Sequence, residues 1–434
     1  MPVTSLRSIA LPFLALSAHF AGVVALAAPT YDHEKRAAWP YGPFVTSGRD
    51  IKDTNGDTVV FAGANWPGAA DVMIPEGLQY QSIETIVSKI KSLGMNAIRL
   101  TYAIELVDQI YENGGQDVSI ETALNDALGT TNGSTVLEQI INNNPTFTAA
   151  TTRLEVFDAI AAECAAQEIY VHLDNHMSKG EWCCSTDDGN AWFGDTYFSV
   201  ANWTRGLGYM ADHGNSWTAL VSMSLRNELR TPDDNTTLAD DSYNWEDWYS
   251  YAKEGTGAIN SANADVLIFL SGLDFDTWLT PVVQGTALTP GTGTFILSDF
   301  DGYTDKLVLE LHNYANSATN CTSLQESLLT DGFQALDADD AETVNVFPVA
   351  LTEFGFAQDA TTWEGVYATC IAGFLESEKT SWFIWVLAGS YYTRSGTQDL
   401  DETWGLLTHD WSSWRSQEYI DGGLVPLING TASP

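Results

Sequence analysis

Two glutamates stand directly after short apolar stretches of the sequence, at positions where buried strands would end. Glu228 closes the stretch 221–228, and Glu353 closes the stretch 348–353. One protonated and one ionised carboxyl group can together cleave a glycosidic bond, the first as acid and base and the second as nucleophile. Facing strands of a narrow barrel would hold such a pair about 5 Å apart, the separation of a retaining enzyme. A salt-bridged structural role is the alternative for each glutamate taken alone.

Other polar and aromatic residues occupy the same kind of position, at the C-terminal tip of an apolar run. A packed core would not collect these residue types, because each buried polar group needs a partner. We therefore expect the following residues to surround the two glutamates and to bind the substrate: Asn65, Trp66, Arg99, His176, Asn227, His312, Tyr314 and Trp385. For Trp385 the alternative is a core position, since its run is aromatic throughout.

The elements that would position these residues alternate between short apolar runs and amphipathic helices. The predicted strands cover residues 59–65, 96–102, 169–174, 221–225, 266–271, 307–311, 349–352 and 381–386, and the predicted helices cover 82–93, 153–167, 244–263 and 363–378. Near-continuous apolar runs are typical of parallel strands that are buried on both faces. The pattern predicts an α/β fold, a single (β/α)8 barrel with long βα loops. An N-terminal β-hairpin, residues 49–60, should close one end of the barrel.

A doubly wound open sheet is the structural alternative to the barrel. No glycine-rich phosphate turn follows any of the runs, so dinucleotide binding has no support.

A metal-dependent hydrolase is the alternative enzyme, because His172, Asp174 and His176 are spaced by two along one strand. Only the residue at the tip would reach the site, and no further histidine and aspartate set completes a metal centre. We expect no metal and no organic cofactor.

The ordered set of tip residues resembles glycoside hydrolase family 5, in the clan of retaining β-glycosidases, and its secreted fungal cellulase-like members. The resemblance extends over nearly the whole chain after residue 36. It implies that Glu228 is the acid/base, that Glu353 is the nucleophile, and that Arg99 orients Glu353 and keeps it ionised. Asn227 matches the asparagine that binds the sugar 2-hydroxyl, and the following residues match the rest of the sugar-binding ring: His176, His312, Tyr314 and Trp385. Leu229 departs from the family, which commonly has proline at that position.

The charge of the chain restricts the partners that it can have. The 434 residues include 18 Lys+Arg and 57 Asp+Glu, a formal net charge of −39 at pH 7. Such a charge repels nucleic acid and anionic membranes and favours a neutral ligand. We expect a monomer that binds a β-linked oligo- or polysaccharide, and neither nucleic acid nor a membrane.

The N-terminal residues indicate export. A basic residue, an apolar stretch and small residues near position 27 are typical of a signal peptide, which we place at residues 1–27. A propeptide at 28–36 would end at the dibasic pair Lys35-Arg36, which leaves 37–434 as one catalytic domain of a secreted protein. N-glycosylation sequons, some of them glycosylated in this interpretation, occur at Asn132, Asn202, Asn235, Asn320 and Asn429.

The cysteine count is odd, so at least one thiol stays unpaired within the chain. The pairing that we favour joins Cys321 to Cys370 and leaves Cys164 free inside an apolar helix face. Cys183 and Cys184 are adjacent in the sequence and can close on each other, although such a ring is strained.

Long loops at 105–152 and 177–200 would shape the site. An open groove would suit an endo-β-1,4-glucanase, the leading interpretation. A site that is closed at one end would suit an exo-acting or diglycoside-releasing β-glucosidase. A catalytically silent glycan-binding cell-wall protein is the alternative from another class.

Overall fold

The computed structural model of the protein describes residues 39–432. The predicted signal peptide, propeptide and dibasic pair lie outside the described residues, and the domain boundaries stay predictions. The described part begins with a small antiparallel sheet of three strands: β1 (Val45–Ser47), β2 (Asp50–Lys52) and β3 (Thr58–Val59). Ile51 and Val59 of this sheet, together with Phe44 just before it, pack against the inner residues at the base of the barrel. The predicted hairpin and its position are confirmed.

Eight parallel strands close into a barrel, so the predicted fold is confirmed and the open sheet is wrong. The strands are β4 (Ala62–Trp66), β5 (Ala97–Ala103), β6 (Tyr170–Met177), β7 (Leu220–Ser224), β8 (Leu267–Ser271), β9 (Leu307–Asn313), β10 (Val349–Phe354) and β11 (Ser381–Ile384). They follow one another around the barrel in chain order, and β11 pairs with β4 to close it. Every residue of these strands is buried, as expected when helices cover the outside.

Helices surround the barrel and fill its loops. They are α1 (Ile83–Ser92), α2 (Ile104–Glu112), α3 (Ile120–Leu128), α4 (Thr130–Asn143), α5 (Arg153–Ala166), α6 (Val200–His213), α7 (Thr236–Ser242), α8 (Trp245–Ala262), α9 (Thr280–Val283), α10 (Cys321–Asp331), α11 (Val366–Glu378), α12 (Gln417–Tyr419) and α13 (Val425–Thr431). The start of α5 is set by a capping box, in which Thr152 and Glu155 satisfy each other's backbone amides. Between residues 39 and 432, no helix is long and apolar enough to cross a membrane.

Two connections are more ordered than the sequence pattern indicated. The segment 105–152, predicted only as a long connection, carries most of α2 and all of α3 and α4, and α3 packs on α4. Their short apolar faces are interrupted by Gly129 and by the polar start of α4, which hides the helical period. After β11, an antiparallel hairpin of β12 (Ser390–Arg394) and β13 (Thr397–Asp401) extends over the mouth of the barrel.

The cysteine pairing agrees with the prediction. A disulfide joins Cys321, at the start of α10, to Cys370 in α11, and a second joins the neighbours Cys183 and Cys184. Cys164 is free and fully buried on α5, and burial raises the pKa of its thiol. The free thiol is therefore held in its unreactive protonated form.

Candidate active site

Arg99 is the centre of a cluster at the C-terminal end of the barrel. Its side chain is fully buried and points inward from β5. Nη1 donates to Glu353 Oε1 at 2.5 Å and to Asn65 Oδ1 at 2.8 Å, while Nη2 donates to Asn227 Oδ1 at 2.8 Å and lies 3.0 Å from Asp174 Oδ1. Burial alone would lower the pKa of Arg99, but the surrounding carboxylates outweigh it and raise that pKa. The guanidinium therefore stays charged and fixes the groups around it.

The two predicted glutamates face each other across this cluster. One carboxylate oxygen of Glu228 and one of Glu353 lie within 4.8 Å of each other, and His312 Nδ1 is within the same distance of both. His312 Nδ1 is 3.0 Å from Glu228 Oε1 and 3.7 Å from Glu353 Oε2. The Tyr314 hydroxyl donates to Glu353 Oε2 at 2.8 Å, so each oxygen of Glu353 has its own donor.

The backbone holds Glu228 in a conformation that few residue types adopt. Its φ is +48°, in the left-handed region, which costs a side chain with a Cβ about 1 kcal/mol. The backbone N–H of Glu228 donates to Asp276 Oδ2 at 2.8 Å, and this bond secures the turn. In this conformation the Glu228 carboxyl group lies 3.0 Å from His312 Nδ1.

The electrostatic environment separates the protonation of the site groups. Burial raises the pKa of Glu228, which favours its protonated form. Burial also lowers the pKa of His312 to about 4, so its imidazole is uncharged at neutral pH. The carboxyl group of Asp174 behaves differently from that of Glu228: burial would raise its pKa, but Arg99 and the hydrogen bond from His176 outweigh burial and lower that pKa to about 2. Glu228 can thus carry a proton while His312 stays uncharged and Asp174 stays ionised.

The remaining predicted residues divide between the site and the outer core. His176 Nδ1 bonds to Asp174 Oδ2 at 2.7 Å, and its ring stacks on the half-buried Trp385 with 5.6 Å between centroids. Trp66 is not brought into the cluster, and the prediction that it binds the substrate is wrong for this structure. Side chains alternate along β4, so Asn65 points inward while Trp66 is buried outside the barrel. There its indole donates to the Glu76 carbonyl at 3.0 Å and its ring is in contact with the Trp411 ring.

The metal-centre alternative is not supported by the positions of its ligands. Both ring nitrogens of His172 are bound to serines, Nδ1 to Ser222 at 2.8 Å and Nε2 to Ser224 at 2.7 Å. His172 therefore takes part in the packing inside the barrel and does not share a centre with His176. Within residues 39–432, two other groups have donor atoms close enough for a cation: Glu228, His312 and Glu353, and Cys183, Cys184 and Glu228. The sulfurs of the second group are joined in a disulfide and offer no thiolate.

Three features near the glutamates were missed in the sequence. Asp276 supports the turn at Glu228, and burial and its neighbour Glu310 raise its pKa well above the usual range. Glu310 lies in β9, where it accepts from the Ser224 hydroxyl at 2.9 Å and burial raises its pKa to about 7. The vicinal disulfide contacts Asn227 through both sulfurs. A carboxylate inside an apolar run, as in the stretch 307–311, was the signal for Glu310.

The comparison with protein families is decisive for this chain. The model of the family described as cellulase (glycosyl hydrolase family 5) matches residues 52–390. The chain belongs to glycosyl hydrolase family 5. This family 5 chain is 33% identical over 394 residues to a glycosyl hydrolase 5 family protein from Chamaecyparis obtusa, covering 87% of this chain but only 65% of that longer relative. It is 22% identical to an endoglucanase from Paenibacillus polymyxa, covering 91% of this chain and 90% of the relative.

Solved structures share the fold of this family 5 chain. The catalytic domain of the major endoglucanase from Xanthomonas campestris aligns with a TM-score of 0.61 at 17% identity, covering 89% of this chain and all of that domain. An endocellulase from Pyrococcus horikoshii, solved in complex with cellotetraose, aligns with a TM-score of 0.64 at 16% identity over 89% of this chain and 98% of its own. At these identities the likeness establishes the fold alone.

The family 5 barrel has a mouth that is partly walled by its loops. Arg394, on β12, lies over the ring of Trp182 at 3.6 Å from the centroid, and Trp182 follows β6. On β13, Gln398 Nε2 donates to the Leu128 carbonyl at the end of α3 at 2.9 Å. In the barrel β4 and β5 lie between β11 and β6, so these contacts connect the loops around the ends of β4 and β5. A cavity of about 410 Å³ remains beside Tyr314, Trp385 and Trp404.

Proposed function

We propose that the protein is a retaining β-glycoside hydrolase that acts on β-glucan by double displacement. The observation that carries this proposal is the distance between the two glutamates, whose nearest oxygens are within 4.8 Å. Retaining enzymes hold their carboxyl groups about 5–5.5 Å apart, whereas inverting enzymes leave about 6.5–9.5 Å for a water molecule. This close approach of the two carboxyl groups suits the retaining class, in which a carboxylate attacks the anomeric carbon directly.

The proposed roles follow from the charges around each carboxyl group. Glu353 is the nucleophile, because Arg99 Nη1 and the Tyr314 hydroxyl each donate a hydrogen bond to one of its two oxygens and hold the carboxyl group in place. It attacks the anomeric carbon while Glu228, whose pKa is raised by burial, gives its proton to the leaving oxygen. Glu228 then removes a proton from water, which hydrolyses the glycosyl-enzyme ester. Asn227 binds the sugar 2-hydroxyl, an interaction that strengthens as the oxocarbenium-like transition state forms.

The substrate that we propose first is a β-1,4-glucan, which the enzyme cleaves internally. The support comes from the relatives: the family model is described as cellulase, and one relative of nearly the same length is an endoglucanase. A neighbour of the same fold binds cellotetraose. Trp385 offers a half-buried aromatic face beside His176, which suits stacking against a glucose ring.

A second candidate is an exo-acting or diglycoside-releasing β-glucosidase. It is favoured by the contacts of the β12–β13 hairpin with Trp182 and with the end of α3, because they wall one side of the mouth. A glycan chain that meets a wall can place only its terminal units at the glutamates. The released product would then be a mono- or disaccharide.

The test is a product profile of the purified protein on carboxymethyl-cellulose, barley β-glucan, laminarin, mannan and aryl β-glycosides. Viscosity and reducing ends are followed together, and the isosteric variant Glu353→Gln is the matched control for contaminating activity. A viscosity loss that outruns reducing-end release supports the endoglucanase. Release of only small sugars from small glycosides supports the second candidate. Binding without turnover by the wild type would overturn both in favour of a silent glycan-binding protein.

We also propose that the protein is a secreted fungal glycoprotein and a monomer that binds neither nucleic acid nor membranes. The apolar N-terminal stretch and the dibasic pair Lys35-Arg36 support secretion, and the five sequons support glycosylation. The net charge of −39 would repel nucleic acid and anionic membranes. N-terminal sequencing of the protein from culture medium should start at residue 37. Retention of residues 1–27 in the medium, or a protein found only inside the cells, would contradict the assignment.

A further inference from the structure

The vicinal disulfide is in direct contact with the side chain of Asn227. The Asn227 amide nitrogen lies 3.4 Å from the Cys183 sulfur and 3.5 Å from the Cys184 sulfur. A carboxylate oxygen of Glu228 and the two sulfurs all lie within 4.8 Å of one another. The two cysteines are half-buried, so the disulfide forms part of the wall beside the proposed acid/base.

The other partner of the Asn227 amide determines which of its ends faces the disulfide. Arg99 Nη2 donates to Asn227 Oδ1 at 2.8 Å, and a guanidinium can only donate. The oxygen must therefore face Arg99, which turns the amide nitrogen toward the two sulfurs. Sulfur is a weak acceptor, so the contact locates the amide without binding it strongly.

The loop that carries the disulfide is tied to the segment that carries the two site residues. Arg230 donates from Nε to the Ser185 carbonyl at 2.7 Å and pairs through Nη2 with Asp188 at 2.6 Å. Arg226 donates from Nη2 to the Asn190 carbonyl at 2.6 Å. Arg226 and Arg230 flank Asn227 in sequence and are fully buried. The position of the sulfurs relative to Asn227 is thus set by buried contacts on the same loop.

We propose that the Cys183–Cys184 disulfide is a positioning group for Asn227. The two sulfurs, at nearly equal distances, share one hydrogen of the amide and keep the other turned toward the sugar. The sulfurs are weak acceptors and compete little with the sugar for the amide. Asn227 is therefore already oriented toward the 2-hydroxyl when the transition state forms, and little free energy is spent on orienting it. This inference rests on the proposed function, in which Asn227 binds that hydroxyl.

The test is a double-mutant cycle with Cys183→Ala/Cys184→Ala and Asn227→Ala. The substrates are an aryl β-cellobioside and its analogue that lacks the 2-hydroxyl on the ring next to the aryl group. Loss of one oriented hydrogen bond corresponds to about tenfold in rate. We expect the cysteine variant to lose about tenfold in kcat on the full substrate with little change in KM, and less than about twofold on the deoxy analogue. In the Asn227→Ala background, removing the cysteines should have no further effect.

Controls separate this role from a general loss of structure. Cys321→Ala/Cys370→Ala removes the other disulfide, on the outer helices, and should leave both substrates unaffected at assay temperature. If the alanine pair does not fold, Cys183→Ser/Cys184→Ser replaces it, and the stronger hydroxyl acceptors should also slow the full substrate selectively. Equal losses on both substrates, additive losses with Asn227→Ala, or no loss would overturn the proposal. A wild type that cleaves neither substrate would instead overturn the proposed function.

Discussion

Replacing Arg99 by methionine perturbs the electrostatic centre of the site. The guanidinium is fully buried and lies 2.5 Å from Glu353 Oε1 and 3.0 Å from Asp174 Oδ1. It also donates to Asn65 and Asn227, both at 2.8 Å. Methionine is an uncharged chain of comparable length, so the substitution leaves two buried carboxyl groups without their cation. Arg99→Lys is the matched control, because it keeps the charge but has one nitrogen for four oxygens.

The structure sets the size of the effect. Removing one partner of a buried ion pair costs about 3–5 kcal/mol in the free energy of unfolding. Burial would raise the pKa of Asp174, but its neighbours lower that pKa from 3.8 to about 2. Arg99 contributes most to the lowering. A shift of that size corresponds to about 2 kcal/mol. A lowered carboxyl pKa stabilises the folded state above the unfolded pKa of about 4, and this contribution disappears as the pH falls toward 2. The cost of Arg99→Met should therefore be largest at neutral pH.

The assay is urea unfolding of the wild type, Arg99→Met and Arg99→Lys at pH 7 and pH 3, with turnover of an aryl β-cellobioside measured in parallel. We expect Arg99→Met to be destabilised at pH 7, to approach the wild type at pH 3, and to lose about 100- to 1,000-fold in kcat. Arg99→Lys should lie between the two. Equal stability of Arg99→Met and the wild type at pH 7, or a difference that grows as the pH falls, would refute the reasoning.

Three other predictions concern the acid, the nucleophile and the free thiol. Tyr314→Phe removes the donor 2.8 Å from Glu353 Oε2; steady-state kinetics should show about a tenfold lower kcat, and an unchanged rate would contradict this role. Burial raises the pKa of Glu228, so kcat/KM should fall as the pH rises through that pKa; a pH profile of Glu228→Gln on an activated aryl glycoside should lack this limb. A thiol reagent should label no cysteine in the native protein and one, Cys164, in unreduced denatured protein; three labelled cysteines would contradict the disulfide pairing.

The barrel could be predicted because each of its strands is a short apolar run that is buried on both faces. The tips of these runs also located most of the site, since His312 lies 3.0 Å from Glu228 and Tyr314 donates to Glu353 at 2.8 Å. Parallel strands place all their C-terminal ends at one end of the barrel, so residues that follow different apolar runs lie close together there. This relation needs no knowledge of side-chain direction.

The ends of the apolar runs do not indicate whether a given side chain points into the barrel or away from it. Trp66 follows Asn65 by one residue, and a period of two sends it to the outer face, where it packs beside Trp411. Asp276 and Glu310 could not be predicted because neither stands at the tip of a run: Asp276 reaches Glu228 from the loop after β8, and Glu310 lies inside β9, where it acts on Asp276. The contact of Asn227 with the vicinal disulfide depends on how the loop 177–200 folds back, which no local pattern specifies.

Chemical rescue by azide tests the roles of the two glutamates most directly. Azide can occupy the space left by Glu353→Ala and attack an activated β-glycoside in place of the carboxylate, so the account predicts an α-glycosyl azide. In Glu228→Ala the nucleophile remains, and azide attacks the glycosyl-enzyme to give the β-glycosyl azide. The anomeric configuration of each product is read by NMR. The reverse assignment of the two products, or wild-type turnover by Glu353→Ala without azide, would contradict the account.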